Sequence, residues 1–399
     1  MRKEEQLRLL KGLINHLDAK TNIDAGGIIR TPAETYTSSE RFEREWDTFF
    51  LNHPQIIGMS GDLPKPDTFM TTEDFGVPVL ATRNSSGEFK AYANVCSHRG
   101  VIVEDVKRGE KSKFSCPFHG WTYNNEGALI GYPKSDQFGK IDKDCYGLKE
   151  LPALEKFGFL WVHPSQDGKI ELDDLLGKDL MEEFSSWNFQ DLTFANEEEY
   201  QTEMNWKLAI DTFGETYHFS VLHKDSLFQS FHGNCQMFDS FNRNGRLILC
   251  KRTIDEMRKL PESDWDICSG SLPVYYLFPN IIFLPTPEGA FLVKEYPAEN
   301  SPHKSFSKIS FYFYPHVLEH IKELEKTGIN GKELLEEQYG GFASVIRDED
   351  YVVAASSHRG LRTGTLDYLT FGKNEPALHH YHNTYRQALG LQSLPLEEA

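Results

Sequence analysis

The chain has 399 residues, 39% of them hydrophobic and 26% charged, enough apolar material for two globular domains with cores of their own. Forty-two Lys and Arg stand against 60 Asp and Glu, a formal charge of −18, which excludes general nucleic-acid binding through clustered positive charge. No apolar run approaches the roughly 18–20 residues of a membrane span, and the opening MRKEEQLRLLKGLINHL lacks the apolar block of a secretory signal, so the expectation is a cytoplasmic protein of enzyme size.

Taken in chain order, Leu9, Leu10, Leu13, Ile14 and Leu17 recur at helical spacing and predict an amphipathic helix over Leu7–Leu17. A polar, turn-rich stretch follows from Asp18 to about Ser38, and Ser-Glu-Arg-Phe at Ser39 offers an N-cap to a second helix. From about Phe69 to Pro164 the texture becomes short β-type runs, such as VPVLATR, FKAYANV and GFLWVHP, separated by Asn-Ser-Ser-Gly and Asn-Asn-Glu-Gly turns. An acidic linker spans Asp167 to Asp179. Beyond it come a helical stretch over Met204–His223, strand-like runs at VYYLFPNIIFLPT, AFLVKEYP and KISFYFYP, and helices near Val317–Lys326 and Gly331–Ser357. Two domains are expected, a small antiparallel β domain first and an α+β domain second.

Six cysteines in a chain of this length make no disulfide framework. Cys145, Cys235, Cys250 and Cys268 sit singly and read as buried, reduced thiols. Cys96-Ser-His98 and Cys116-Pro-Phe-His119 differ, because each places a thiol and an imidazole on one tight loop, with 17 residues between the pairs. That spacing admits a tetrahedral Cys2His2 zinc site or a [2Fe–2S] cluster with two Cys on one iron and two His on the other. Zinc fingers favour Cys pairs and His pairs, whereas here each loop carries one of each. Gly100 and Gly120 follow the histidines, where glycine lets the backbone bend and aim N–H groups at sulfur. The loops CSHRG and CPFHGWTY resemble the Rieske iron–sulfur motif, C-x-H-x17-C-x2-H.

A second concentration of metal-capable groups is Asp211, Glu215, His218 and His223, after Asn205-Trp206-Lys207. The two histidines are five residues apart, which on an ideal helix turns them about 140° away from each other. The helix must therefore distort or end between them if both are to reach one metal. Glu215 lies three before His218, on the same face.

Together the two clusters resemble the catalytic alpha subunit of Rieske non-haem iron oxygenases, the ring-hydroxylating dioxygenases and related monooxygenases. The resemblance spans nearly the whole chain, from PAETYTSSERFEREWDTFF to LHHYHNTYRQAL. It implies a Rieske domain over 45–165 and a catalytic domain over 1–44 and 166–399, the latter a helix-grip fold with an antiparallel sheet around a long C-terminal helix. It implies Cys96, His98, Cys116 and His119 as cluster ligands, and His218, His223 and Asp350 as ligands of a mononuclear Fe(II) in a facial triad. Asp348 is the alternative to Asp350, because the run Asp348-Glu349-Asp350 leaves the helical register open.

The resemblance also implies that Glu215 bridges electrons between subunits, with Asp211 in support. The family usually carries aspartate at the place of Glu215; glutamate occurs there in relatives acting on quaternary ammonium compounds. Phe213, Tyr217, Phe219 and Tyr276 are candidate substrate-pocket residues, and His379, His380 and His382 are expected to pack or cap the last helix. The implied activity is O2-dependent mono- or dihydroxylation of a small, aromatic organic substrate. Alternatives are a quaternary ammonium monooxygenase or a non-enzymatic Rieske electron carrier. Electrons would come from NAD(P)H through a separate reductase, with or without a ferredoxin, since the chain has no G-x-G-x-x-G fingerprint. A homotrimer, with or without a beta subunit, is expected, and Lys107, Arg108, Lys111 and Lys113 offer a docking patch for an acidic donor.

Overall fold

The computed structural model describes residues 1–398, apart from the side chains at 332 and 337–339. The chain divides into two compact units, one formed by Met1–Glu45, Leu172–Trp187 and Ala195–Ala399, the other by Trp46–Glu171 and Asn188–Phe194.

The β unit is built from three small sheets. Its five-stranded sheet runs in the order Glu150–Leu151, Phe89–Ala93, Val79–Arg83, Thr68–Thr72 and Arg108–Glu110, antiparallel at every pairing. Ala153–Lys156, Phe159–Val162 and Gln55–Met59 make a second sheet, and Lys113–Ser115, Thr122–Asn124 and Leu129–Gly131 a third. The predicted turns Asn84–Gly87 and Asn124–Gly127 close hairpins, with Gly87 and Gly127 at positive φ. Phe69, Leu80, Phe114, Trp121 and Tyr123 fill the core beneath the two loops that carry Cys96 and Cys116.

The α+β unit centres on a seven-stranded sheet. From Phe231–Phe241 the chain meanders through Asn244–Lys251, Ser271–Leu277, Ile281–Pro285 and Gly289–Ala298 to Ser301–Phe313, each neighbour antiparallel. Thr193–Thr202 adds at the edge beside Ser301–Phe313. The run VYYLFPNIIFLPT is thus two strands, because Phe278-Pro279-Asn280 turns the chain back; Pro279 cannot donate to a ladder. The C-terminal helix Pro376–Ala388 lies on the sheet and buries Leu378, Tyr381, His382 and Tyr385, one face at a period of three to four residues. Gly245 lies beneath the Phe238 ring of the adjacent strand, where a Cβ would come 2.8 Å from that ring.

The first helix, Lys3–Ala19, buries Leu9, Leu10 and Leu13 completely. They pack against Cys235, Ile248, Cys250 and Ile267. The stretch after it is more ordered than its polarity suggests, since Ile29–Pro32 pairs with Tyr368–Phe371. The acidic linker is also partly helical, over Leu172–Leu175 and Gly177–Ser185, because Leu180 and Phe184 find apolar cover. Among the four outlying cysteines, Cys145 is exposed rather than buried, on a surface turn. Cys235 and Cys250, on adjacent strands, have hydrogen-bonded thiols and are not solitary. Among the described residues no helix is long and apolar enough to cross a membrane.

Leu10→Ala should remove about 2–5 kcal/mol of stability by opening a cavity between the first helix and the sheet. The readout is a lower urea midpoint; an unchanged midpoint would mean that this helix contributes little to the unit.

Candidate metal centres and the adjoining cavity

In the β unit, two loops repeat one geometry. The Cys96 N–H donates to the Val101 carbonyl and the Gly100 N–H to the Cys96 carbonyl, both at 2.8 Å. The Cys116 N–H donates to the Trp121 carbonyl at 2.8 Å and the Gly120 N–H to the Cys116 carbonyl at 3.0 Å. Each turn closes through a glycine at positive φ, +76° at Gly100 and +69° at Gly120, a region that costs other residues strain.

Both thiols are buried. The imidazoles stand further out, with His98 and His119 at 4.7 Å between ring centroids and His98 stacked on Trp121 at 4.8 Å. Burial pushes the Cys116 thiol up, although the N–H groups of Phe118 and His119 point at its sulfur. The Tyr123 hydroxyl sits 3.3 Å from Cys96 Sγ and accepts the Ser97 N–H at 3.1 Å. Paired thiols with N–H and O–H groups directed at sulfur, beneath paired imidazoles, suit a [2Fe–2S] cluster. The basic stretch nearby carries less free charge than its composition suggests: Lys111 is bonded to Glu104 and Arg108 to Asp62.

The second centre begins with Asn205-Trp206-Lys207. Asn205 caps the short helix Trp206–Asp211, accepting the Lys207 N–H, and its side-chain amide donates to the carbonyls of Tyr36 and Pro302. Trp206 meets Tyr385 of the C-terminal helix at 5.4 Å. Lys207, fully buried, donates to Glu45 at 2.5 Å, and Glu45 also accepts from Arg41. Asp211 then accepts from the Tyr36 hydroxyl at 2.6 Å and from His382 Nε2 at 2.9 Å. The helix therefore stops at Asp211, anchored on three sides, and the predicted helix over Met204–His223 is interrupted. A separate 3-10 turn covers Tyr217–Ser220.

That interruption brings His218, His223 and Asp350 together, with one donor atom from each within 4.8 Å of the others. Asp350 Oδ1 lies 3.5 Å from His218 Nε2 and 3.1 Å from His223 Nε2. The opposite ring nitrogens are engaged by carboxylates: His218 Nδ1 by Glu215, and His223 Nδ1 by Glu349 at 2.8 Å. Ser226 donates to the same Glu349 oxygen, also at 2.8 Å. Donation from both Nδ1–H groups leaves both Nε2 lone pairs facing one point, as metal-binding histidines require.

Burial disfavours an imidazolium at His218, but Asp350 and Glu215 outweigh it and raise its pKa to about 9. The carboxylates around the two imidazoles thus favour positive charge at this point. Asp348 faces solvent and pairs with Arg347. A π-helical turn over Ile346–Asp350, inserted between Gly331–Val345 and Tyr351–Leu361, turns Asp350 inward.

A mainly apolar cavity adjoins this cluster. Leu249, Leu272, Val274 and Leu284 of the sheet form one wall, and Phe342, Val345 and Ile346 of the long helix another. Phe213 and Phe219 line it, but Tyr217 and Tyr276 do not. Tyr217 is 65% exposed on its turn. Tyr276 continues the Leu272–Val274 face beyond the cavity, tilted against Tyr381 at 4.0 Å between ring centroids with its hydroxyl on the Pro279 carbonyl. His379 bonds the Phe371 carbonyl, His380 lies by Phe238 and His382 serves Asp211, so none of the three joins the cluster among the described residues. Sequence reasoning missed Glu349 and the sheet wall. The alternation of Leu272 and Val274 was the available signal for the wall, and the carboxylate beside Asp350 for Glu349.

The family model for the Rieske [2Fe–2S] domain matches residues 53–152, which decides for the iron–sulfur cluster over zinc. That for the ring hydroxylating alpha subunit (catalytic domain) matches residues 189–391. The alpha subunit of toluate 1,2-dioxygenase from Pseudomonas putida is 29% identical over 53% of this chain and 48% of its own length. The chain thus spans about half of that relative. Chloroplastic choline monooxygenase from Amaranthus tricolor is 24% identical over 95% of this chain and 82% of its own. Among solved structures, the quaternary ammonium Rieske monooxygenase CntA superposes with a TM-score of 0.75 at 19% identity, covering 92% of this chain and 97% of that one. Naphthalene 1,2-dioxygenase gives 0.70 at 18% identity, covering 92% and 93%. With a Rieske domain followed by the matching catalytic domain, the chain belongs to the ring-hydroxylating alpha-subunit family of Rieske oxygenases.

Proposed function

We propose that the chain is the terminal oxygenase of a Rieske system that hydroxylates a small organic substrate with O2. The observation that carries this reading is the convergence of His218, His223 and Asp350 on one point at the wall of an apolar cavity. Cys96, His98, Cys116 and His119 would hold the cluster, and His218, His223 and Asp350 the mononuclear iron. When bound, the two centres supply single electrons and the open coordination positions that O2 chemistry needs.

The chain's own residues do the rest. Glu215 and Glu349 hold the two imidazoles in the tautomer that presents Nε2. Glu215 would also carry the electron relay from a neighbouring subunit, with Asp211, bonded to Tyr36 and His382, in support. Inter-subunit electron transfer is described for a quaternary ammonium Rieske monooxygenase that superposes on this chain with a TM-score of 0.73, and it supports a ring-shaped homotrimer. The electron donor is a separate NAD(P)H-dependent reductase, directly or through a ferredoxin, and the setting cytoplasmic. An aromatic ring is the substrate that the Phe- and Leu-lined cavity favours. The second reading, a quaternary ammonium monooxygenase, has Glu215 in its favour, together with the choline and carnitine monooxygenases among the relatives.

Anaerobically purified protein should contain about three irons and about two acid-labile sulfides per chain, falling to about two irons in His218→Ala/His223→Ala. Two irons in both proteins would favour a non-enzymatic electron carrier instead. Glu349→Ala should weaken mononuclear iron binding about 10–100-fold while leaving the visible absorption of the cluster unchanged. Unaltered iron affinity would remove Glu349 from the site.

A further inference from the structure

We infer that Cys235 and Cys250 are a redox pair, two facing thiols that hydrogen peroxide joins into a disulfide between adjacent strands of the seven-stranded sheet. Neither belongs to the metal centres or to the described lining of the cavity, so the pair stands apart from the proposed oxygenase reaction.

The strands Phe231–Phe241 and Asn244–Lys251 keep a regular antiparallel register from the pairing of Phe241 with Asn244 to that of Gln236 with Leu249. The next pairing is Phe231 with Lys251, so residues 232–235 of one strand bulge opposite Cys250 alone. One step beyond Gln236 and Leu249, Cys235 lies across from Cys250. Directly opposed residues of such a ladder have Cα atoms ~4.5–5.5 Å apart, inside the ~4.4–6.8 Å that a disulfide spans. Side chains alternate between the two faces of a strand. Gln236 accepts the Thr216 hydroxyl and Leu249 lines the cavity, whereas Cys235 and Cys250 are buried with Leu9, Leu10 and Leu13 of the first helix. There the two thiols are hydrogen-bonded to each other.

The contact makes the two thiols unequal. The hydrogen bond from Cys250 holds the Cys235 thiol below its usual range, while the same contact, and then burial, push Cys250 up. Cys235 is therefore the attacking thiol and Cys250 the resolving one. Asn234, next to Cys235, is exposed at φ +53°, so the bulge brings the buried thiol within one residue of solvent. The Cys235 sulfur attacks one peroxide oxygen and breaks the O–O bond. It becomes a sulfenic acid, and the other oxygen leaves as water with the thiol proton. The Cys250 sulfur then attacks the sulfenic sulfur, forming the S–S bond and releasing a second water. Two thiols lose two electrons and two protons, and peroxide is reduced to two waters. The bond lies one residue from Gln236, which holds Thr216 at 2.9 Å, two residues before His218.

The test treats folded holoenzyme with hydrogen peroxide, blocks the remaining thiols by alkylation and maps tryptic peptides by mass. Cys235 falls in the peptide 225–243 and Cys250 in 247–251. A species two hydrogens lighter than the sum of those peptides should replace the free 247–251 peptide, and dithiothreitol should restore it. Visible absorption of the cluster is followed in the same sample, so that thiols released from Cys96 and Cys116 are recognised. In Cys250→Ala the linked species should vanish and Cys235, lacking a partner, should gain two oxygens. The inference is overturned if Cys250 stays free while the exposed Cys145 oxidises, or if either thiol links to Cys268 instead. Linkage that begins only after the cluster absorption is lost, or only in urea, overturns it equally, because the pair would then be a product of unfolding. A Cys235 left unmodified in Cys250→Ala would remove it as the attacking thiol.

Discussion

No α-helix can present two histidines five residues apart to one point, and the α+β unit is organised around that restriction. The segment holding His218 and His223 must leave the helix before them and still be held rigid. Three anchors achieve this. Asn205 caps the helix from outside, Trp206 packs on Tyr385, and Lys207 enters a buried ion network with Glu45 and Arg41. Asp211, bonded to Tyr36 and His382, marks the last helical residue. These contacts tie three distant stretches of chain to one short helix, so the turn carrying His218 inherits their rigidity.

The same restriction returns on the partner helix. Regular helical spacing places Asp348 and Asp350 about 200° apart, so only one can face the cluster. The π-helical turn at Ile346–Asp350 shifts the register and selects Asp350, while Asp348 stays with Arg347 at the surface. Such turns recur at functional sites because one extra residue redirects a side chain without breaking the helix. Glu349, next in line, is free to orient His223.

Charge is the second organising theme, and the two halves of the site treat it oppositely. The metal cluster gathers Glu215, Glu349 and Asp350 around two imidazoles, an arrangement that favours a cation. The adjoining wall is aliphatic and phenylalanine-rich, with the nearest strand cations turned to other carboxylates or carbonyls. Charge is thus concentrated at the cluster, and the rest of the described lining is apolar apart from Thr212. The β unit needs less long-range support. Its two loops repeat one local hydrogen-bond pattern closed by glycine, and hairpin strands flank the second.

The sequence by itself determined what is local. The paired Cys-x-His and Cys-x2-His loops, their glycines, the apolar face of Leu9, Leu10 and Leu13, and the need for a broken helix between His218 and His223 all follow from spacing within a few residues. Only the tertiary structure decided what depends on distant chain. It chose Asp350 over Asp348 through a π turn that no periodicity announces. It removed Tyr276 from the cavity by laying the C-terminal helix over it, and Tyr217 by turning it to solvent. It also drew the cavity wall from Leu249, Leu272, Val274 and Leu284. Those leucines and valines look like any buried strand in one dimension. Which end of a strand faces a cavity and which lies under a helix is set by packing partners more than a hundred residues away.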